Sequence, residues 1–413
     1  MPESFKNIVI GGGSYGGCAA LLALRDKLPA GYRIIVVEPR SHFHYTFAFL
    51  RASVVPDFER DLFIPYNGLF PSDSPHFLVH AKVSEVTHTH VVLDRPTSDS
   101  RLASTSDAPT HIPYTYLVYA AGAQHPSPTE MTQIDSLAAS VSELKSYQSR
   151  IISATSIVIV GGGGSGIELA AEIAERYPRK EVVLVHSRER YMEAYGTGIH
   201  DVIRGILEKL GVRMVFGERV AAVEDGNKKE EAGRKVVRTI KGTEIEADLV
   251  LWCTGLKPRS APLQSLSPSS VDPKTSFVKV LPTLQLADVA FPNIFACGDI
   301  ADTADMKLAR TALIQAGVVA ENILALISSS LASPGSEAAL LPTLKVPQIG
   351  MLARGIHMPM GHSSALAIPL PPFGWQVALN TWFLDALKAD DTLGAGRLWK
   401  LLEAEGERPA AKS

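Results

Sequence analysis

The run Ile8-Val9-Ile10-Gly11-Gly12-Gly13-Ser14-Tyr15-Gly16-Gly17, close to the start of the chain, constrains the fold more than any other stretch. A short apolar strand is followed by glycines at the G-x-G-x-x-G spacing and then by a helix-forming segment, residues 18–28. Gly11 permits the tight turn from strand to helix, Gly13 lets a pyrophosphate approach the backbone, and Gly16 lets helix and strand pack closely. The helix N-terminus offers N–H groups and the positive end of its dipole to phosphates. A second apolar strand, residues 34–37, ends in Glu38, whose carboxylate suits ribose hydroxyls, with Arg40 just beyond. Strand, helix, second strand and terminal carboxylate together specify a dinucleotide site.

The pattern then recurs. Ser156-Ile-Val-Ile-Val160-Gly161-Gly-Gly163-Gly-Ser-Gly166 is again strand, G-x-G-x-x-G and helix, and residues 181–185 supply the next strand. Two such sites in one chain imply two nucleotides that must meet. The second strand ends in His186-Ser187-Arg188 instead of a carboxylate, with Arg190 following. No negative charge there repels a 2′-phosphate, and Arg188 or Arg190 can hold one, so NADPH is expected ahead of NADH. Residues 116–122 and 248–255 are strands closing on Ala121-Gly122 and on Gly255, small residues against which a cofactor can sit. Residues 293–302 form a strand ending in Gly298-Asp299, where Asp299 suits the ribityl chain of a flavin. The helix expected over about 308–327, aided by Lys307 or Arg310, would aim its N-terminus at the flavin's N1/C2 edge.

A chain of 413 residues is suited to two or three domains. The division expected is 1–125 and 257–330 for the two parts of an FAD-binding domain, 126–256 for an NAD(P)H-binding domain, and 331–413 for a small α+β unit. The fold class is therefore α/β with two Rossmann-like domains. Formal net charge is −3 with no dense basic run, which excludes nucleic acid as a partner. Cys18, Cys253 and Cys297 are too scattered for a disulfide framework, so a reducing, cytoplasmic compartment is expected. The N-terminus runs straight into a strand, and Pro2 stands where myristoylation needs glycine. No apolar run is expected to span a membrane, Glu321 and Pro369, Pro371 and Pro372 interrupting the nearest candidates. Peripheral contact with an intracellular membrane and a homodimer stay open. His42 and His44 have no further ligands nearby and are expected to pack, leaving no metal site.

Smaller features follow. Residues 77–84 and 91–94 are expected as hairpin strands, 97–110 and 224–234 as polar hairpin tips, and 328–338 as a linker. Helices are expected over 136–152 and 200–210, with a strand over 213–216. Trp375, Leu379, Trp382, Phe383 and Ala386 fall on one helical face, suited to a core or a dimer contact.

Several runs carry a family resemblance: Phe49-Leu-Arg-Ala-Ser-Val, residues 161–172, Leu184-Val-His-Ser187, Leu251-Trp-Cys-Thr-Gly255 and Cys297-Gly-Asp-Ile-Ala-Asp302. Over essentially the whole chain the sequence resembles the two-dinucleotide-fold flavoprotein oxidoreductases. Within them it is most similar to the ferroptosis-suppressor, apoptosis-inducing-factor-like group, with type II NADH dehydrogenases more distant. The resemblance implies FAD held by the 11–17 turn, Arg51, a backbone position near Val83, and Asp299. It also implies Glu168 close to the nicotinamide and a lipophilic quinone as acceptor. Disulfide reductases of this plan carry a redox cysteine pair near residues 39–53; here the segment is aromatic and histidine-bearing, without cysteine. An oxidoreductase passing hydride from NAD(P)H to flavin, then electrons to a quinone, is the expected function. A tailoring oxidoreductase of secondary metabolism and a redox-gated signalling flavoprotein are the alternatives.

Overall fold

The computed structural model describes residues 5–102, 110–225, 234–332, 342–370, 375–380, 398 and 400–402. β1 (Lys6–Gly11) and β2 (Tyr32–Val37) run parallel with Ile8 opposite Ile34, joined by α1 (Tyr15–Leu24). β2 carries β3 (Phe77–Val79) on its far edge, and the loop between them holds the short helix α2 (Phe49–Ala52). β4 (Tyr116–Tyr119) pairs with β1 on the other side. These central strands are continuous apolar runs because helices and further strands cover both faces of the sheet. Residues 77–84 are not one hairpin arm. Phe77–Val79 joins the parallel sheet, while Val83–Val86 pairs antiparallel with His90–Leu93, which in turn pairs with His111–Pro113. A turn in which Ala81 N–H bonds the Val79 carbonyl at 2.9 Å separates the two pieces.

α3 (Leu137–Ser153) starts at Ser136, whose hydroxyl accepts from the Ala139 N–H at 3.2 Å, and leads into a second parallel sheet. Here β5 (Ser156–Val160), α4 (Gly164–Arg176), β6 (Glu181–Val185), α5 (Thr197–Lys209), β7 (Arg213–Val215) and β8 (Leu249–Trp252) follow in order. The strand order is β7-β6-β5-β8, with an antiparallel hairpin sheet packed on one face. The chain then returns: β9 (Ile294–Ala296) pairs with β4, giving β9-β4-β1-β2-β3. Outgoing and returning segments touch as a two-stranded ribbon, Ala123–Gln124 against Lys257–Pro258.

α6 (Ala309–Leu331) packs on α1 within the first core. It runs into the stretch expected as linker. By length and composition it could cross a membrane, and the single Glu321 does not disqualify it, contrary to expectation. It is a core helix, burying Ala316, Val319, Ala320 and Ile323. The C-terminal region forms the antiparallel sheet Ile356–Met360, Ser363–Leu370 and Trp375–Asn380, which lies on α4 and α5. Trp375 and Leu379 therefore belong to a strand, not a helix. A spacing of four puts two residues on one face under either period, so that pair could not decide. Trp382, Phe383 and Ala386, half of the first polar tip (103–109) and most of the second (226–233) lie outside the described residues.

Candidate functional site

The first turn is held by contacts that leave no room for side chains. Gly12 has φ +109°, and a Cβ there would meet the Ala120 carbonyl oxygen at 2.5 Å. A Cβ on Gly17 would fall 1.7 Å from the Gly12 oxygen, so α1 and the turn pack backbone to backbone. At Gly11 and Gly16 a Cβ would instead meet Val83 at 3.4 Å and the Cys297 sulfur at 3.6 Å, placing both residues around the same turn. Ser14 stands at the N-cap of α1, where the described residues supply no side-chain cap. Ala121 lies against Gly12, and Gly122 adopts φ +65° with open space beside it.

Glu38 is buried to 1% exposure. Its Oε2 accepts the Gly13 N–H at 2.6 Å and its Oε1 the Arg40 N–H at 2.9 Å. The Arg40 guanidinium adds a bond to Glu38 at 3.3 Å and one to Glu130 Oε1 at 2.6 Å. Burial alone would lower the Arg40 pKa, but Glu38 and Glu130 hold it above its ordinary value. Arg259 reaches the same Glu130 oxygen at 2.5 Å. Burial would raise the Glu130 carboxyl, yet Arg259 and Arg40 keep it below the usual carboxylate range. Sequence reasoning missed Glu130 and Arg259. Neither sits in a motif or an amphipathic period, and the only signal was a charge beside each strand-end crossing.

The second turn repeats the geometry with different chemistry. Gly161 has φ +111°, with a Cβ there 2.5 Å from the Cys253 oxygen, and a Cβ on Gly166 would lie 1.8 Å from the Gly161 oxygen. His186 occupies the place of Glu38: its Nδ1 accepts the Gly162 N–H at 3.2 Å and its Nε2 faces the Arg190 carbonyl at 3.1 Å. That pattern requires the neutral, Nε2-protonated ring. Burial, aided by Arg188, lowers its pKa. Arg188 is exposed and lies 3.7 Å from Glu193. A Cβ on Gly163 would meet nothing within 4 Å, and the same holds at Gly255 (φ +56°).

Glu168 is half-buried on α4, opening its second turn instead of lying in its first. Glu172, one turn on along the same face, pairs with Arg51 of α2 at 3.0 Å. Glu168 stands one turn before Glu172 on α4, and the Arg51–Glu172 ion pair places Arg51 between α2 of the first fold and α4 of the second. Asp299 is half-buried, and burial raises its pKa against the pull of His125 and Lys307. Lys307 precedes α6, donates to the Ala301 carbonyl and lies 4.7 Å from the Phe277 ring. Burial lowers its pKa, against Asp299, Asp302 and Asp305. Arg310 donates to the Gly355 carbonyl, so its guanidinium is directed toward the C-terminal unit.

Buried donors without protein acceptors test whether a nucleotide fits the first fold. Arg40 Nε is one, and Thr311 Oγ1, in the first turn of α6, is another buried hydroxyl without a partner among the described residues. Leu308 at the N-cap of α6 offers no side-chain cap. Oxygen-rich ligands satisfy such groups, and the 11–17 turn with Glu38 fits the pyrophosphate and ribose of FAD. Among the described residues no His, Cys, Asp or Glu cluster could hold a metal. His42 hydrogen-bonds the Ser41 hydroxyl, and His44 packs between Phe49 and Phe63.

Comparison with known proteins agrees with this geometry. The pyridine nucleotide-disulphide oxidoreductase family model matches residues 5–316. Fe-regulated protein 8 of Mycosarcoma maydis is 34% identical, the match covering 78% of this chain and 81% of that protein. Ferroptosis suppressor protein 1 of Homo sapiens is 30% identical over 77% of this chain and 80% of its own length. The sulfide:quinone oxidoreductase of Aquifex aeolicus has the same fold, with a TM-score of 0.71 at 17% identity, covering 96% of this chain and 91% of that one. The chain belongs to the pyridine nucleotide-disulphide oxidoreductase family, among the relatives of ferroptosis suppressor protein 1, and is an NAD(P)H-dependent flavoprotein oxidoreductase.

Proposed function

We propose that the protein oxidises NADPH in preference to NADH and delivers the electrons to a flat, lipophilic, quinone-like acceptor. The observation that carries the acceptor is the aromatic cluster standing where disulfide reductases keep cysteines. Tyr15, first residue of α1, packs edge-on against Phe43 at 5.0 Å and Phe47 at 5.2 Å, and Phe47 stays 51% exposed beside Tyr45. An exposed ring backed by two others is a stacking platform for a planar acceptor. A thiol relay is disfavoured, because burial pushes Cys253 and Cys297 up to about 12 and Cys18 higher still.

The nucleotide preference rests on His186. It closes the second glycine turn as Glu38 closes the first, but without a negative charge, and Arg188 and Arg190 follow on the same loop. A 2′-phosphate there meets Arg188 and Arg190, with no carboxylate at position 186 to repel it, and would compete with Glu193 for Arg188. Bound FAD would supply the two-electron carrier between NADPH and the acceptor. This chain's residues supply the rest. The Gly13 backbone, Glu38, Arg40 and Asp299 hold the flavin nucleotide, Gly163 admits the second pyrophosphate, and Glu168 orients the nicotinamide. The uncapped start of α6, with Lys307 beside it, favours negative charge at the flavin's N1/C2 edge.

Phe47→Ala with a panel of quinones tests the acceptor. The Michaelis constant for quinones should rise while reduction by NADPH is unchanged. Unaltered quinone kinetics would remove the platform from the account.

A further inference from the structure

The two crossings between the folds are pinned to the first nucleotide cradle by a continuous chain of charges, the two carboxylates buried and the two guanidiniums half-buried. It begins at the Gly13 N–H, which donates to Glu38 at 2.6 Å, and Arg40 bonds Glu38 through both its backbone and its side chain. Arg40 then bonds Glu130, which also takes Arg259 on the same oxygen and the His125 N–H on the other at 2.9 Å. Arg259 continues into the ribbon: its side chain donates to the Ala123 carbonyl at 2.6 Å and its N–H to the Gly122 carbonyl at 3.1 Å. Tyr119, at the end of β4, fixes the Arg259 carbonyl at 2.6 Å. Two carboxylates and two guanidiniums alternate, so the chain is internally neutral. Within low-dielectric surroundings each link depends on the one before it.

We propose that Glu130 and Arg259 are positioning residues that couple occupancy of the FAD cradle to the orientation of the second fold. The inference rests on the first fold binding FAD, as proposed above. Among the described residues, only the segments around Ala123–Gln124 and Lys257–Pro258 carry the chain out to the second sheet and back. Glu130 sits on the outgoing segment and Arg259 on the returning one. Arg259 reaches the cradle through Glu130, which bonds Arg40, and the Arg40 side chain also holds the ribose-binding carboxylate. A ligand on Glu38 and Arg40 orders that end of the chain, and the ribbon at the other end then holds the second nucleotide site at a fixed angle. Loss of the central charge would leave both guanidiniums without their shared acceptor and loosen the two together.

The test uses purified full-length protein stripped of flavin, Glu130→Gln and Arg259→Gln singly and together, and Glu143→Gln as a control. Glu143 accepts the Thr132 and Gln133 N–H groups on one oxygen and the Ser127 and Thr132 hydroxyls on the other, and among the described residues no hydrogen bond joins it to Glu38, Arg40, Arg259, the Glu130 carboxylate or the two ribbon strands. FAD affinity is read by titration, and reduction by saturating NADPH by rapid mixing. Glu130→Gln should weaken FAD binding by about tenfold or more. It should also lower the reduction rate with the NADPH dissociation constant unchanged, and the double variant should be no worse than either single one. Glu143→Gln should lower the melting temperature alone. In the wild type, hydrogen–deuterium exchange over residues 121–130 and 257–259 should slow when FAD is added, a readout that survives if the variants do not fold. Wild type that binds FAD with unchanged exchange there, or Glu130→Gln with FAD affinity and reduction rate within about twofold of wild type, overturns the coupling alone. Wild type that binds no FAD overturns the reading beneath it.

Discussion

Gly17 and Gly163 make opposite demands on the chain. A methyl group at Gly17 would collide with the Gly12 carbonyl, whereas one at Gly163 would meet nothing within 4 Å. Gly163→Ala should therefore fold normally, within about 1 kcal/mol of wild type, and still lose affinity for pyridine nucleotide. Melting temperature and nucleotide titration, measured side by side, check this. A parallel loss of stability would mean that Gly163 serves the fold instead. His44 makes a second residue-level prediction. It is 3% exposed, neither ring nitrogen has a hydrogen-bond partner among the described residues, and burial, with Arg40 and His42, holds its pKa well below 6.5. Below that pH the unfolded chain binds a proton that the folded chain refuses, so stability falls as pH falls. The slope approaches about 1.4 kcal/mol per pH unit for one group. His44→Phe should flatten this part of the profile in urea melts at neutral and mildly acidic pH; an unchanged slope would assign it to other groups. His186 repeats the logic in the nucleotide loop. Arg188→Ala should lower kcat/KM about tenfold for NADPH and leave NADH unaffected. Equal losses with both would show that Arg188 does not read the 2′-phosphate.

At the scale of elements, α4 carries the argument. Glu168 and Glu172 lie one turn apart on the face that meets α2, and Glu172 is committed to Arg51. Glu168→Gln keeps shape but removes charge. If the residue positions the nicotinamide, flavin reduction should slow by up to about a hundredfold in anaerobic rapid mixing. If it serves only the helix dipole, the rate should hold and stability should drop by about 0.3–1 kcal/mol. The elements themselves were largely legible. β1, β5 and the helices after them are specified by apolar runs and by glycines with only one physical use, so their positions followed from local chemistry. The C-terminal strand Trp375–Asn380 was not legible, since its large residues satisfy helix and strand periods alike. Glu130 and Arg259 were not legible for another reason. Their role comes from two crossings, 129 residues apart in sequence, meeting at one carboxylate.

At the scale of the whole molecule the same strand, glycine turn and helix occur twice, with Glu38 just past the next strand in the first and His186 in the same place in the second. Glu38 and His186 both accept a glycine N–H of their own turn, one through a carboxylate and the other through an imidazole, and the proposed nucleotide preference rests on that difference. The repeat was visible in the sequence because the same glycine turn recurs. The relation between the two folds was not, because the Arg51–Glu172 pair and the charge chain are long-range. Anaerobic rapid mixing of the purified protein with NADPH or NADH, followed by its visible flavin absorbance, tests the account most directly. The protein should be yellow, should bleach with either nucleotide, and should bleach at least as efficiently with NADPH. A colourless protein that takes up no FAD, or a yellow one that neither nucleotide bleaches, would contradict it.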